Sequence, residues 1–267
     1  MAVKPLTLRA AKPNPGIRSV YRKQIAGLIR QMHEDYLREI EAEYTALEPR
    51  ITGDAKWRSP MERLNDLLTK LSDRWTRRFS ALASLIAPRT VKSILSRVRN
   101  GRKQALKDFG FNIAIPKSRV MDERVQALIL SSGADIEAIP ATYAGRVAKA
   151  VSNSVVAGLD RVSLTRELHK GLGIELRKAR NIARDQTNKA TQALARVTDE
   201  DIGFEEGVWI HVPGAVTSRK THVAMDGKKF KLNEGLYDSD VKRKVIPGEL
   251  WLCQCDYRPC IPDSWKV

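Results

Sequence analysis

Cysteine is scarce in this chain: three residues in 267, all between positions 253 and 260. That supply cannot build the disulfide framework of a small secreted scaffold, and a chain of this length can bury a sizeable core without one. Long apolar runs are missing too. None approaches the roughly 18 residues that cross a bilayer, and the opening MAVKPLTLRAAKPNP has no hydrophobic signal core, so we expect no membrane-spanning segment and no export by a signal peptide. Glycine and proline, 16 and 12 residues, fall far short of a low-complexity composition, which excludes global disorder. There is no Gly-rich phosphate loop, no nucleophile elbow, no HExxH pair and no pair of acids on one helix face. A non-enzymatic protein is the expectation.

What the chain does have is positive charge. Lys and Arg number 47 against 31 Asp and Glu, a formal net charge of +16. A surface with that field calls for a polyanionic partner. The excess is concentrated at one end: residues 1–119 hold 25 basic against 11 acidic side chains, and residues 120–267 hold 22 against 20. The densest segment is Arg97, Arg99, Arg102, Lys103 and Lys107, with no acid among them, and Arg77 and Arg78 extend it. Such cations neutralise phosphates and release condensed counterions. No zinc-finger spacing, RRM aromatic motif or helix-turn-helix signature accompanies them, so the expected contact is with the backbone of double-stranded DNA rather than its bases. The competing reading is an ordinary solvated helix face.

Hydrophobic periodicity makes the chain mainly α, with a small α+β module at the C-terminus. Residues 1–16, with Pro5, Pro13, Pro15 and Gly16, are aperiodic and read as a flexible arm that orders on a partner. Residues 17–119 read as a basic bundle of three helices. The first carries Ile25, Leu28, Ile29, Met32, Tyr36, Ile40, Tyr44 and Leu47 and stops at Pro49. The second opens with a capping box at Ser59, Pro60 and Glu62, carries Leu64 to Ile86 at helical spacing and ends at Pro88, and the third starts at Thr90. Residues 120–198 read as a central helical region: one helix to Ser131, another after Pro140 to Leu159, a short one from Ser163 closed by Gly171 and Gly173, and a longer one to Val197. An acidic stretch from Asp199 to Glu206 marks the boundary of the 199–267 module. There Val208 to Val212 and Glu249 to Cys255 read as strands and Asp226-Gly227 as a turn. No repeat of fixed period is present.

The cysteines lie in CQCDYRPC, with His211 and His222 upstream. Cys253, Cys255, Cys260 and His222 would close a tetrahedral structural zinc site. Three readings stay open: zinc, reduced thiols without metal, and a redox pair. If Cys253 and Cys255 alternate across a strand, only one of them faces His222 unless the strand is bulged or ends at Gln254. A different class of function, a DNA-processing or toxin-like metal-dependent enzyme, would use His211, His222 and Asp226.

From Ile139 onward the chain carries an ordered series of motifs: ATYAGRVAKAVSNSVVAGLDRVSLTRELHKGLGI, then RNIARDQTNKATQALA, then Trp209, the R-x-x-H of Arg219 and His222, the Asp226-Gly227 turn, Pro247 and the CxC of Cys253 and Cys255. In this order and spacing the stretch resembles the phage Mu F-like head morphogenesis family, the minor capsid proteins of tailed phages, with Arg184 in the family's arginine position. Two departures stand out: Gln186 replaces an acid after the arginine, and GAVTSRKTH keeps only Arg219 of the family's basic lead into the histidine. The resemblance implies a virion component present in few copies, inside the head near the portal and in the host cytoplasm during assembly. Its implied partners are the portal protein, packaged DNA, and major capsid or scaffold protein.

Overall fold

The computed structural model describes residues 5–46, 59–158, 161–213 and 218–265. Four long helices come first: α1 Pro15–Ala46, α2 Pro60–Asp108, α3 Arg119–Val156 and α4 Arg161–Asp201. A short helix, α5 Lys220–Ala224, and five strands follow: β1 Glu206–Ile210, β2 Lys229–Lys231, β3 Leu236–Asp238, β4 Arg243–Val245 and β5 Asp256–Pro259. The mainly α class with a small C-terminal α+β module is as expected.

Local signals set the helix starts. Asn14 Oδ1 accepts the Ile17 amide at 3.0 Å, so Asn14 caps α1 and Pro15 takes the first turn, where its missing N–H costs nothing. The Ser59 box is reciprocal: the Ser59 amide donates to Glu62 Oε2 at 2.8 Å and the Glu62 amide to Ser59 Oγ at 3.2 Å. Ser118 caps α3 through the Met121 amide at 3.1 Å. Pro49 and Leu159 lie outside the described residues.

The expected internal breaks do not occur. Pro88 lies inside α2 and Pro140 inside α3, and α4 runs through Gly171 and Gly173 without a stop. An interior proline costs about 3 kcal/mol of helix propensity, but each helix buries a long apolar stripe on both sides of its proline. Around Pro88 that stripe is Phe79, Ala83, Ile86, Ala87, Val91, Ile94 and Val98, all buried. Packing on both flanks outweighs the local penalty.

Compactness divides the chain into two units that do not follow consecutive boundaries: Met1–Val20, Ala87–Ser131 and Ala183–Val267 form unit 1, and Tyr21–Ile86 with Ser132–Ile182 form unit 2. Among the described residues unit 2 contains helices and no strand. Its core is aromatic, with Tyr21, Tyr36, Trp75, Phe79 and Tyr143 fully buried. Two of the buried polar side chains there form hydrogen-bonded clusters: Asp35 Oδ2 accepts from Trp75 Nε1 and Arg74 Nη1, both at 2.9 Å. His33 Nδ1 lies 2.7 Å from the Tyr143 hydroxyl, and its Nε2 lies 3.2 Å from His169 Nδ1.

Burial, and then the neighbouring His169, pull His33 down from 6.5 to about 4. A histidine with a depressed folded pKa contributes stability that is intact above its unfolded value and is lost as pH falls through the folded one. Stability should therefore drop by roughly 2–3 kcal/mol between pH 6.5 and 4 on account of this side chain. Urea unfolding of wild type and His33→Gln across that range checks it: the variant should lack this part of the slope, and equal slopes would count against it.

Unit 1 holds the sheet. Its strands run in the order β2-β1-β5, all antiparallel, with Trp209 opposite Tyr257 and Gly207 opposite Phe230. β3 and β4 form a separate hairpin with Leu236 opposite Val245. Within the expected arm, residues 6–8 lie along the sheet: the Leu8 amide donates to the Pro259 carbonyl at 3.0 Å, the Ile261 amide donates to the Leu6 carbonyl at 2.9 Å, and Leu8 is completely buried. An aperiodic segment carries no amphipathic signature, yet it can still satisfy its backbone on an open sheet edge. The second expected strand is displaced as well: 251–255 form a turn and coil, and pairing starts only at Asp256.

Candidate metal centre and basic cleft

β1 brings Trp209 inward, and the turn at Asp226-Gly227 locks behind it. The Gly227 amide donates to the Trp209 carbonyl and the Trp209 amide to the Lys228 carbonyl, both at 2.9 Å. Gly227 has φ +74°, the conformation such a turn asks of glycine. Asp226 Oδ1 accepts the His211 amide at 2.8 Å. Asp226 therefore holds the end of β1, and it stands outside the cluster formed by the histidine and cysteines. Residues 214–217, the start of GAVTSRKTH, lie outside the described residues. Arg219, just before α5, donates to the Trp251 carbonyl at 3.1 Å.

α5 delivers His222 into the interior. There its Nδ1 lies 3.3 Å from Cys253 Sγ and 3.6 Å from Cys255 Sγ. On the far side of the ring, Nε2 is 3.0 Å from Asp238 Oδ2 at the end of β3. The Trp209 ring meets His222 edge-on, with centroids 5.2 Å apart. His211 Nδ1 lies 3.7 Å from Cys255 Sγ. Both thiols face one imidazole because the chain between them is not a strand. Leu252 adopts φ +58°, its amide donates to Asp185 Oδ1 at 2.5 Å, and Asn188 Nδ2 donates to the Cys253 carbonyl at 2.6 Å.

Those two acceptor and donor side chains project from α4, in the segment RNIARDQTNKATQALA. Gly248 packs against the next turn of that helix, where a Cβ would lie 2.7 Å from Gln192 Cγ. The same helix carries Gln186, which is buried, and Arg184, which is half-buried and lowers the pKa of Arg18 after burial has done so first.

Cys260 does not join the cluster. It is buried at the far end of β5, where its amide donates to the Glu206 carbonyl at 2.8 Å and it bridges to Thr7. Five residues of extended chain span roughly 16 Å, which carries its sulfur away from Cys255. The expected four-residue set is thus reduced to His222, Cys253 and Cys255, and the residue after β1 and the end of β3 add His211 and Asp238 at its edge. Asp238 left no mark in the sequence beyond its position in a short polar-flanked strand.

The basic segment is split by the helix that carries it. Arg102 is buried and ion-paired: its Nε is 2.6 Å from Asp199 Oδ1, its Nη2 donates to Asp199 Oδ2 at 2.8 Å, and its Nη1 donates to the Arg9 carbonyl at 2.9 Å. It cannot face a phosphate. Arg99 is half-buried and donates to the Ile115 carbonyl at 2.6 Å. Lys103 and Lys107 are exposed beside Phe111 and Ile113. Arg77 and Arg78 are exposed on unit 2, with Arg78 lying 4.4 Å from the Trp75 ring centroid. Of the expected set, Arg97 is the exposed cation on a large cleft of unit 1, about 1370 Å³, which Arg9, Lys12 and Arg258 also line, while Arg102 reaches the wall of that cleft only as a buried side chain. Arg9, Lys12 and Arg258 are exposed as well. One acid, Asp256, lines the same cleft; burial pushes its carboxyl up to about 6 against the pull of Lys12 and Arg258.

These features define a mainly helical protein with a basic cleft and a small module in which two cysteines converge on a histidine. Residues 145–258 match the family of Phage Mu protein F like proteins, so the resemblance seen in the sequence is shown for that stretch. Over 146 residues the chain is 28% identical to an uncharacterized protein of Haemophilus influenzae, an alignment that spans 54% of this chain and 31% of that protein. No solved structure matches. Among the described residues, no helix is long and apolar enough to cross a membrane.

Proposed function

We propose that the chain is a head-morphogenesis protein of a tailed phage, a minor component that sits near the portal inside the head and contacts packaged duplex DNA without reading its sequence. The family match over residues 145–258 carries the first part of this reading. The cleft supports the second. Arg9, Lys12, Arg97 and Arg258 surround it, and a groove lined by exposed cations suits a phosphate backbone. Arg97 thus stays in the proposed DNA surface, with Arg77, Arg78, Lys103 and Lys107 as further exposed cations, and Arg102 leaves it.

Binding of the full chain to duplexes of unrelated sequence tests this. If four phosphates are neutralised in the cleft, log affinity should fall against log salt with a slope of about −4, and Arg97→Ala with Arg258→Ala should bring it to about −2. A salt-independent interaction, or a slope unmoved by the double variant, would overturn the cleft as the DNA surface. Co-expression with the portal protein alone should give a complex; recovery only with capsid shells lacking a portal would overturn the location. Cleavage of DNA on incubation with divalent metals would favour the metal-dependent enzyme instead.

A further inference from the structure

We infer that His222, Cys253 and Cys255, completed by His211, form a closed structural zinc site. It goes beyond the head-morphogenesis reading and does not depend on it. In a tetrahedral site with Zn–S near 2.3 Å and Zn–N near 2.0–2.1 Å, neighbouring ligand atoms stand roughly 3.3–3.8 Å apart. His222 Nδ1 stands 3.3 Å and 3.6 Å from the two sulfurs, and His211 Nδ1 stands 3.7 Å from Cys255 Sγ. The atoms of His222, Cys253 and Cys255 all lie within 4.8 Å of one another, and all three residues are buried. His211 lies outside that group as it stands, in contact only with Cys255, so its service as the fourth ligand requires its side chain to turn inward.

The group that orients His222 agrees with this assignment. Asp238 is completely buried and accepts from His222 Nε2–H, which leaves the Nδ1 lone pair aimed at the sulfurs. Asp238 is itself held by the Asp240 amide on its other oxygen, at 2.9 Å. With zinc, two thiolates balance the ion's charge and the two histidines bind neutral. Two sulfurs and two nitrogens leave no open position, so the metal's role is to hold the fold. It ties α5 to the loop before β5, and through Asp238 to the β3–β4 hairpin, in a module whose own core is small.

The test uses the full chain, purified without a histidine tag and kept reduced. Metal analysis after exposure to zinc should give about one equivalent per chain, and a chelator should lower the thermal unfolding temperature. Cobalt(II) added to the metal-free protein should give thiolate-to-metal charge transfer and the intense visible bands of a tetrahedral site. Cys260→Ser should keep full metal content, whereas Cys253→Ser and Cys255→Ser should lose it. Asp238→Asn leaves every ligand in place and should weaken zinc binding about 10- to 100-fold. Zinc below about a tenth of an equivalent in wild type would overturn the site, and so would a Cys260→Ser protein as depleted as Cys253→Ser. If His211→Ala leaves both affinity and the cobalt spectrum unchanged, the fourth ligand is overturned. Should the Cys253 or Cys255 variants fail to fold, the wild-type cobalt spectrum and the Cys260 and Asp238 variants still decide. Because none of these readouts involves DNA or a portal, failure here is distinct from failure of the proposed function.

Discussion

Arg102→Met should lower the unfolding free energy by about 3–5 kcal/mol, far more than the loss of a surface arginine. The guanidinium and the Asp199 carboxylate are 3% and 0% exposed, and Tyr257 donates a further hydrogen bond to Asp199 Oδ2 at 2.6 Å. Removing one partner leaves a charge with no counter-ion in a place water does not reach. Burial already pushes Asp199 up to about 6, with Arg102 pulling the other way, so without the arginine the carboxyl rises further. A group with a raised folded pKa contributes stability that is fully present below its unfolded value, about 3.9, and is lost as pH rises through the folded value. The gap between wild type and variant should therefore be smallest near pH 4 and widen toward pH 8. Urea unfolding at both ends of that range measures it. A variant within 1 kcal/mol of wild type at pH 8 would mean that Arg102 is not the buried partner described above, and that it is available to DNA after all.

Gly235→Ala should cost about 4 kcal/mol, because two penalties coincide. Gly235 has φ +82°, which an L side chain resists, and a Cβ there would stand 2.2 Å from the Val245 carbonyl oxygen and 2.8 Å from its carbon. Those atoms are backbone and belong to the β4 residue paired with Leu236, so they cannot withdraw without opening the β3–β4 hairpin. Gly227→Ala is the control: φ is +74° but nothing lies within 4 Å, so only the conformational penalty of about 1 kcal/mol remains. Equal losses in the two variants would show that the hairpin yields freely. The hairpin also ends at Asp238, so its opening removes the acceptor that orients His222.

Short-range physics was legible in this chain. The α1 stripe from Ile25 to Tyr44, the Ser59 capping box, the strand around Trp209 and the Asp226-Gly227 turn each depend on side chains a few residues apart, and all are present. Pro88, Pro140 and the glycines of α4 were misleading for the same reason. A local penalty of a few kcal/mol is visible in sequence, while the burial that outweighs it is contributed by distant segments. The candidate site divides along this line too. Two cysteines and a histidine were recognisable as metal-ligand types, but the non-strand path that turns both thiols one way is imposed by Asp185 and Asn188, 67 and 65 residues upstream of the groups they bind.

By itself the sequence determined the chemical inventory: a positive N-terminal half, mainly helical periodicity, few cysteines in one cluster, and the order of motifs that the family match bears out over residues 145–258. Only the tertiary structure decided how that inventory is used. Arg97 and Arg102 look alike in sequence, yet one opens onto a cleft and the other meets an aspartate 97 residues away. Cys253 and Cys260 look alike as well, yet one meets His222 and the other ends a strand. The reason is that charge and ligand type belong to a side chain, whereas solvation and partnership depend on which surfaces the packed backbone brings together.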